Sequence, residues 1–254
     1  MNELNGKVAL ISGASKGIGA ATARFMAEQG VKLVLAARTE SSLQELAKEI
    51  IDAGGAAVAI GCDVAKYEDV EKAVDAAISN FGKLDILVNN AGLIEPIARL
   101  ADSDPESWVT AADVNYKGVY FGLRAALPHM LKAGQGTIVN VSSGAATGAL
   151  EGWSHYCSSK AAALSLTKCA DVEYRDQGIT VVGMSPGTVA TGMQVSIKAS
   201  GINRVSQLDP SVHIPAEWPA KAIAWLCTEE GKAYAGTDFS LKTEEGRKAI
   251  GLDA

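Results

Sequence analysis

A phenol and an ammonium stand four residues apart at Tyr156 and Lys160, a spacing that puts both on one face of a helix. An unperturbed tyrosine, with a pKa near ~10, is a poor proton carrier at neutral pH, and a cation beside it favours the phenolate. The pair is therefore a candidate acid–base unit, able to protonate a carbonyl oxygen or take the proton of an alcohol. Upstream, the apolar run Val139–Val141 ends in Ser142 and Ser143. A hydroxyl there can hydrogen-bond a reacting oxygen and stabilise developing alkoxide charge. Either serine is equally suited to capping the turn that follows. Asn115 falls inside a helical stretch, where an amide is disfavoured by propensity; that hints at a side-chain role.

A second constellation opens the chain. The apolar run Val8–Ser12 leads into Gly13, Ser15, Lys16, Gly17, Ile18 and Gly19, and then into a helical pattern. Glycine lets the backbone turn tightly and approach a ligand, and the start of a helix offers free N–H groups to a pyrophosphate. The spacing is G-x-x-x-G-x-G, and its place between a first strand and a first helix marks it as a dinucleotide site. The next strand ends Leu35-Ala36-Ala37-Arg38, without the acid that binds ribose hydroxyls in NAD sites. Arg38 and Lys16 can pair with a 2′-phosphate, so NADP(H) is favoured over NAD(H). The alternative is that both are solvated surface cations. Glu40 lies beyond the strand, where an acid suits the next helix's N-terminus. Asp63 and Val64 follow the third strand, and Asn89, Ala91 and Gly92 follow the fourth. Carboxyl ends of strands are where open α/β sheets bind ligands. Asp63 is a candidate acceptor for an adenine amino group, and Asn89 with Gly92 would let backbone run close beside the cofactor.

Such residues must be carried to one edge by a common scaffold. Apolar runs at Val8–Ser12, Val31–Ala36, Ala56–Gly61, Leu84–Val88, Thr137–Val141 and Ile179–Met184 alternate with helical stretches. Those stretches are Gly17–Gln29, Ser41–Ala53, Tyr67–Phe81, Pro105–Leu131 and Tyr156–Asp176. Strands without polar alternation require a sheet covered on both faces, and the alternation requires right-handed crossovers. The expected fold is a doubly wound parallel α/β sheet of Rossmann type, forming one domain over residues 1–254. From Pro186 to Pro219 the pattern fails, and a loop of that length in a compact domain is expected to be a lid over a substrate site. A helix near Ala220–Leu226 and a last strand around Thr237–Leu241 complete the chain.

Composition excludes several other classes. Hydrophobic residues make up 48% of the 254, and charged residues 20%, the balance of a soluble globular chain. With 23 Lys+Arg against 29 Asp+Glu the net charge is −6, which argues against a nucleic-acid partner. No apolar run approaches the ~18 residues of a membrane span, and no charged leader precedes a long apolar stretch. Cys62, Cys157, Cys169 and Cys227 are widely spaced, so neither disulfides nor a zinc site are expected and a cytoplasmic location fits. With three unpaired histidines, no metal is expected.

Taken in order, these motifs resemble the short-chain dehydrogenases/reductases in their compact form. The resemblance runs from residue 5 to about residue 195: Gly13–Gly19, Asp63-Val64, Asn89–Gly92, Asn115, Ser143, Tyr156 with Lys160, and Pro186-Gly187 with Thr191. It implies an oxidoreductase that moves a hydride between a nicotinamide and a ketone, aldehyde or secondary alcohol. It also makes Ser143, rather than Ser142, the catalytic serine. Asn115 would hold a water and Lys160 in a proton relay. Lys160 would also bind the nicotinamide ribose, and Thr191 with the Pro186–Val189 turn would contact the nicotinamide side. A homodimer or homotetramer is implied in the same way. The segment Thr188–Gln194 is similar to one in the sepiapterin- and benzil-reductase-like branch, pointing to a compact carbonyl or dicarbonyl. Leu93, Ile94, Glu95, Trp153, His155 and Met193 are the candidate pocket residues; for Trp153 and His155 the alternative is ordinary packing or capping. Many members end in a strand followed by Asp-Gly-Gly, whereas this chain reads Gly236–Arg247 without it. That departure counts against a 3-oxoacyl-thioester reductase, which stays as an alternative beside a non-catalytic dinucleotide-binding regulator.

Overall fold

Seven parallel strands form one sheet, in the order β3-β2-β1-β4-β5-β6-β7, in the computed structural model, which describes residues 2–252. The strands are β1 (Val8–Ser12), β2 (Lys32–Ala37), β3 (Ala56–Gly61), β4 (Ile86–Asn89), β5 (Gly136–Val141), β6 (Ile179–Ser185) and β7 (Asp238–Ser240). Helices α1 (Gly17–Glu28), α2 (Glu40–Asp52) and α8 (Glu217–Leu226) cover one face. Helices α3 (Tyr67–Phe81), α5 (Gly118–Ala133) and α6 (Ser154–Tyr174) cover the other. Helix α4 (Pro105–Ala112) precedes α5, α7 (Gly192–Ser200) follows β6, and α9 (Glu244–Ala249) closes the chain.

Strand β1 shows why its sequence carries no polar alternation. Ala9 and Ile11 point into a cluster with Ala23 and Met26 of α1, Leu43 of α2 and Ile223 of α8. Val8 and Leu10 point the opposite way, to Val74 of α3, Leu123 of α5 and Ala163 of α6. The two-residue period is intact, but both faces are dry. Strand order reverses between β1 and β4, so the carboxyl ends of these two strands frame a crevice of the kind in which open α/β sheets bind nucleotides.

Two expectations need correction. The helical stretch from Pro105 to Leu131 is not continuous: Asp113–Lys117 forms a π-helical turn between α4 and α5. The segment from Pro186 to Pro219 is not irregular throughout either, since it contains α7 and a short 3₁₀ turn at Pro210–Val212. Its glycines and prolines mark the ends of these pieces and mask their periodicity. A parallel bridge between Val189 and Ile214, with Ala190 N–H donating to the Ile214 carbonyl at 2.9 Å, pins the base of the segment. Among the described residues, no helix is long and apolar enough to cross a membrane.

Candidate active site

The glycine loop between β1 and α1 is locked from the side by the turn after β4. Asn90 donates from Nδ2 to the carbonyls of Ser12 (2.9 Å) and Gly13 (3.1 Å). The Ser12 hydroxyl accepts from the backbone N–H groups of Asn90 and Ala91 at 3.0 and 3.2 Å. Gly13 adopts φ +64°, and a Cβ there would lie 2.9 Å from the Ala91 α-carbon; a Cβ on Gly19 would lie 2.4 Å from the Gly13 carbonyl oxygen. Only glycine fits at either position. Lys16, extended and without a side-chain cap bond, leaves the first N–H groups of the twelve-residue helix α1 open. Thr191, before α7, reaches within 3.2 Å of the point a Cβ on Gly17 would occupy. A backbone cradle at an uncapped helix start fits a pyrophosphate, and so fits the dinucleotide that the sequence motifs imply.

Around this cradle the predicted residues separate into two groups. Ser15, Lys16, Gly17 and Ile18 stand at or near the surface beside the loop, as does Arg38 just past the end of β2. Among the described residues Arg38 makes no ion pair, and the Glu40 carboxylate accepts from Gln44 at 3.1 Å and stands 3.4 Å from a Cβ position on Gly61, the partner of Ala37 at the end of β2. Asp63 is half-buried beyond β3, with Oδ1 accepting from Ala65 N–H at 3.1 Å, while Val64 is buried against Gly118. Asn89 turns its side chain away from the crevice. Its side chain is buried and donates to Asn140 Oδ1 at 2.9 Å, and Asn140 donates in turn to Thr167 at 2.9 Å. Only the Asn89 backbone faces the crevice edge, and the tie to the glycine loop falls to Asn90, which the sequence did not single out.

Tyr156, Lys160, Ser143 and Asn115 meet at the carboxyl ends of β4 and β5. Lys160 is 4% exposed; its ammonium donates to the Val141 carbonyl at 2.7 Å and lies 5.7 Å from the centre of the Tyr156 ring. Burial depresses its pKa to about 8, against the opposing charge of Asp238. Burial likewise pushes the Tyr156 phenol above its ordinary value, and a hydrogen bond with Ser143 pulls it back in part. Desolvation, which favours the protonated phenol, is thus the largest influence on Tyr156 in the protein alone. The two serines are also distinguished. Ser143 faces Tyr156 and caps the turn Gly144–Thr147 by accepting from Ala145 N–H at 3.1 Å. Ser142 points away, toward Asp238.

The π turn explains the buried amide. It lets Asn115 project from a helical stretch and grip the backbone of Leu93 at both ends: Leu93 N–H donates to Oδ1, and Nδ2 donates to the Leu93 carbonyl, each at 2.8 Å. A Cβ on Gly92 would come within 3.2 Å of Asn115 Oδ1 and 3.9 Å of Lys160 Nζ. Asn115 thus sets the course of the chain leaving β4 past the ammonium.

An apolar cluster of Ile94, Ala145, Trp153, Tyr156 and Ile197 stands beside these groups, with Met193 packed against it. Trp153 and Tyr156 meet edge to face at 5.6 Å, and the Trp153 indole N–H is buried without an acceptor. Of the candidate pocket residues, Ile94 and Trp153 belong to this cluster and Met193 packs against it. Glu95 is exposed and accepts from Ile97 N–H at 3.3 Å in its own turn. His155 is buried and bonded to the Ile94 carbonyl at 2.8 Å, a strut behind the wall. Buried Pro186, half-buried Gly187 and buried Val189 lead from β6 into the α7 segment, which docks through Asn203 on the Glu151 carbonyl (2.8 Å). Sequence reasoning missed Ile197, Asp238 and Lys242. The Lys242 ammonium comes within 3.1 Å of a Cβ position on Gly144, and its stem lies against Gly187. The absence of Asp-Gly-Gly flagged this tail, but nothing in the spacing placed it beside Ser143.

The family profile described as short chain dehydrogenase matches residues 7–201. The chain is 33% identical to a cyclohexanol dehydrogenase of Acinetobacter sp. (strain SE19), over 94% of each chain. It is 37% identical to 3beta-hydroxysteroid dehydrogenase 1 of Eggerthella lenta, covering 93% of this chain and 92% of the relative. Its fold superposes on a crystal structure of an NAD+-bound xylitol dehydrogenase with a TM-score of 0.87 at 26% identity, over 94% of this chain and 98% of the other. This protein belongs to the short-chain dehydrogenase/reductase family, the oxidoreductases that act between alcohols and carbonyls with a nicotinamide cofactor.

Proposed function

We propose that the protein reduces a compact, largely apolar ketone or dicarbonyl with NADPH, or oxidises the matching alcohol, with Tyr156 as the acid–base group. The observation that carries this reading is the convergence of Ser143, Tyr156 and buried Lys160 beside the apolar wall of Ile94, Trp153, Met193 and Ile197. The nicotinamide dinucleotide supplies the hydride in reduction and accepts it in oxidation. Tyr156, held protonated by burial, gives its proton to the carbonyl oxygen, and the Ser143 hydroxyl hydrogen-bonds the same oxygen as charge develops on it. Lys160 places positive charge beneath the phenol and stabilises the phenolate that the proton transfer leaves.

Preference for NADPH rests on the two exposed cations, Lys16 at the open start of α1 and Arg38 just past β2, with Glu40 tied to Gln44 beside Gly61. Asn115 acts as a positioning residue through Leu93. Residues 186–219 form the lid, hinged at the Val189–Ile214 bridge, and α7 brings Met193 and Ile197 to the substrate.

The test is loss of 340 nm absorbance with NADPH and, separately, NADH across a 1,2-diketone, an aryl ketone, a cyclic ketone, an aldehyde and a short 3-oxoacyl thioester. NADPH-dependent turnover of the diketone or cyclic ketone supports the reading. Preference for the thioester would replace the substrate class, and cofactor binding without turnover of any carbonyl would favour a regulator. Tyr156→Phe is expected to cut turnover by a factor on the order of 10² to 10⁴ while leaving the cofactor dissociation constant within about twofold.

A further inference from the structure

Asp238 is a half-buried carboxylate on the short last strand, close to the proton-transfer groups but not among them. Its Oδ2 accepts from Ser185 Oγ at 2.8 Å and from Ser142 Oγ at 3.2 Å. Its Oδ1 is buried with no hydrogen-bond partner, over Gly183, where a Cβ would lie 2.9 Å from it. Register explains the clamp. Asp238 pairs with Gly183 on β6, Ser185 lies two residues on and so on the same face, and Ser142 follows β5, where its N–H bonds the Met184 carbonyl. Ser142 adjoins Val141, whose carbonyl holds the Lys160 ammonium, so two adjacent residues at the end of β5 hold the ammonium and the carboxylate.

We propose that Asp238 is a positioning residue for proton transfer: its clamped carboxylate is the buried counter-charge that keeps the Lys160 ammonium charged beneath Tyr156. The proposal rests on the acid–base reading of that pair. Among the described residues no carboxylate touches Lys160 directly, and Asp238 is the charge that opposes the effect of burial on it. Burial pushes the Asp238 carboxyl up, and the two serine hydroxyls, Lys160 and Lys168 pull it back. Other titratable groups nearby are Tyr156, Cys157 and the Asp171–Arg175 pair on α6, the Asp113–Lys117 pair on the π turn, and Lys242 beyond β7. None of these supplies an acid facing Lys160 from the β7 side. A carboxylate with one oxygen unpartnered is a costly thing to bury unless its charge is used.

The direct readout is the titration of Lys160, followed by NMR in protein labelled at lysine Cε, with the signal assigned by Lys160→Arg. In the wild type the midpoint is expected near about 8. In Asp238→Asn it is expected to fall by about one pH unit, because a neutral amide no longer offsets burial of the ammonium. Asp238→Ser, which leaves room for water, repeats the test where the amide is not tolerated. Ser142→Ala perturbs the same clamp but keeps the charge, and is expected to leave the Lys160 midpoint where the wild type has it. In carbonyl reduction, the alkaline fall of kcat/KM is expected to move to lower pH by the same amount in Asp238→Asn. An unmoved Lys160 midpoint in both neutral variants overturns the proposal, as does an equal shift in Ser142→Ala. The NMR titration needs no turnover, so a protein inactive toward every carbonyl would sink the acid–base reading and leave this result legible.

Discussion

The Lys160 ammonium and the Val141 carbonyl lie 2.7 Å apart in a region closed to water, so one backbone oxygen does much of the work that hydration would do. It does not do all of it. The lysine pKa is pulled from 10.5 to about 8, so the folded protein releases this proton more readily than the unfolded chain. Between about 8 and 10.5 the unfolded state binds more protons, and stability attributable to this group therefore rises with pH across that window. Below about 8 the full burial penalty is present. Lys160→Met is accordingly expected to be more stable than the wild type at pH 7, by about 1–3 kcal/mol, with turnover lost. Urea unfolding at pH 7 and pH 10 checks both statements: the gain should shrink at the higher pH. A variant less stable at pH 7 would show that the bond to Val141 outweighs desolvation.

The proposed preference for NADPH rests on Arg38, exposed at the carboxyl end of β2. A charge-assisted hydrogen bond to a 2′-phosphate contributes about 1.5–3 kcal/mol, so Arg38→Ala is expected to weaken NADPH binding roughly ten- to hundredfold and leave NADH binding nearly unchanged. Fluorescence titration with each cofactor measures the two constants independently of any substrate. Equal losses for both, or none for either, would return Arg38 to the class of solvated surface cations.

The glycine cradle makes a sharper stereochemical demand. In Gly19→Ala the new methyl would meet the Gly13 carbonyl oxygen at 2.4 Å, and a backbone atom cannot swing aside as a flexible side chain would. Loss of dinucleotide binding by an order of magnitude or more is expected, with a lower melting temperature. Gly192→Ala is the control: no atom lies within 4 Å of its Cβ position, and it sits at the first turn of α7. That change is expected to be neutral or to stabilise by about 0.5 kcal/mol. Thermal unfolding with and without cofactor separates the two cases.

How far the sequence carried depended on whether a residue's role is local. The strands were legible because both faces of the sheet are covered, leaving continuous apolar runs at Val8–Ser12 and Ile179–Met184. The glycine loop was legible because its geometry is fixed by residues adjacent in the chain. Side-chain direction was not. Asn89 and Asn90 are neighbours with identical chemistry, and only the pleat decides that the first enters the helix layer and the second reaches Ser12 and Gly13. The π turn was hidden for a similar reason: the pattern around Asn115 has helical spacing, and one extra residue in a turn leaves no compositional mark. Long-range partners escaped altogether. Asp238 is 96 residues from Ser142 and 53 from Ser185, and no periodicity links them. Desolvation of Tyr156 was equally out of reach, because it depends on what α7 and the turn after β5 place over the ring.

Trp153 offers a test of the substrate class itself. Its indole N–H is buried without an acceptor, an arrangement that costs about 1–3 kcal/mol unless a ligand oxygen satisfies it. The ring meets Tyr156 edge to face, so an acceptor on this indole would lie close to the carbonyl that Tyr156 is proposed to protonate. A substrate with a second oxygen beside its reacting carbonyl meets that condition, and a simple ketone does not. Trp153→Phe keeps an aromatic ring in the cluster and removes the orphaned donor. It is expected to leave stability unchanged or slightly raised, and to raise KM for a 1,2-diketone roughly tenfold while moving KM for a cyclic monoketone by less than about threefold. Steady-state kinetics on the two substrates decides the matter. Equal increases would show that the indole acts only by filling space, and the dicarbonyl preference would then have no donor to rest on.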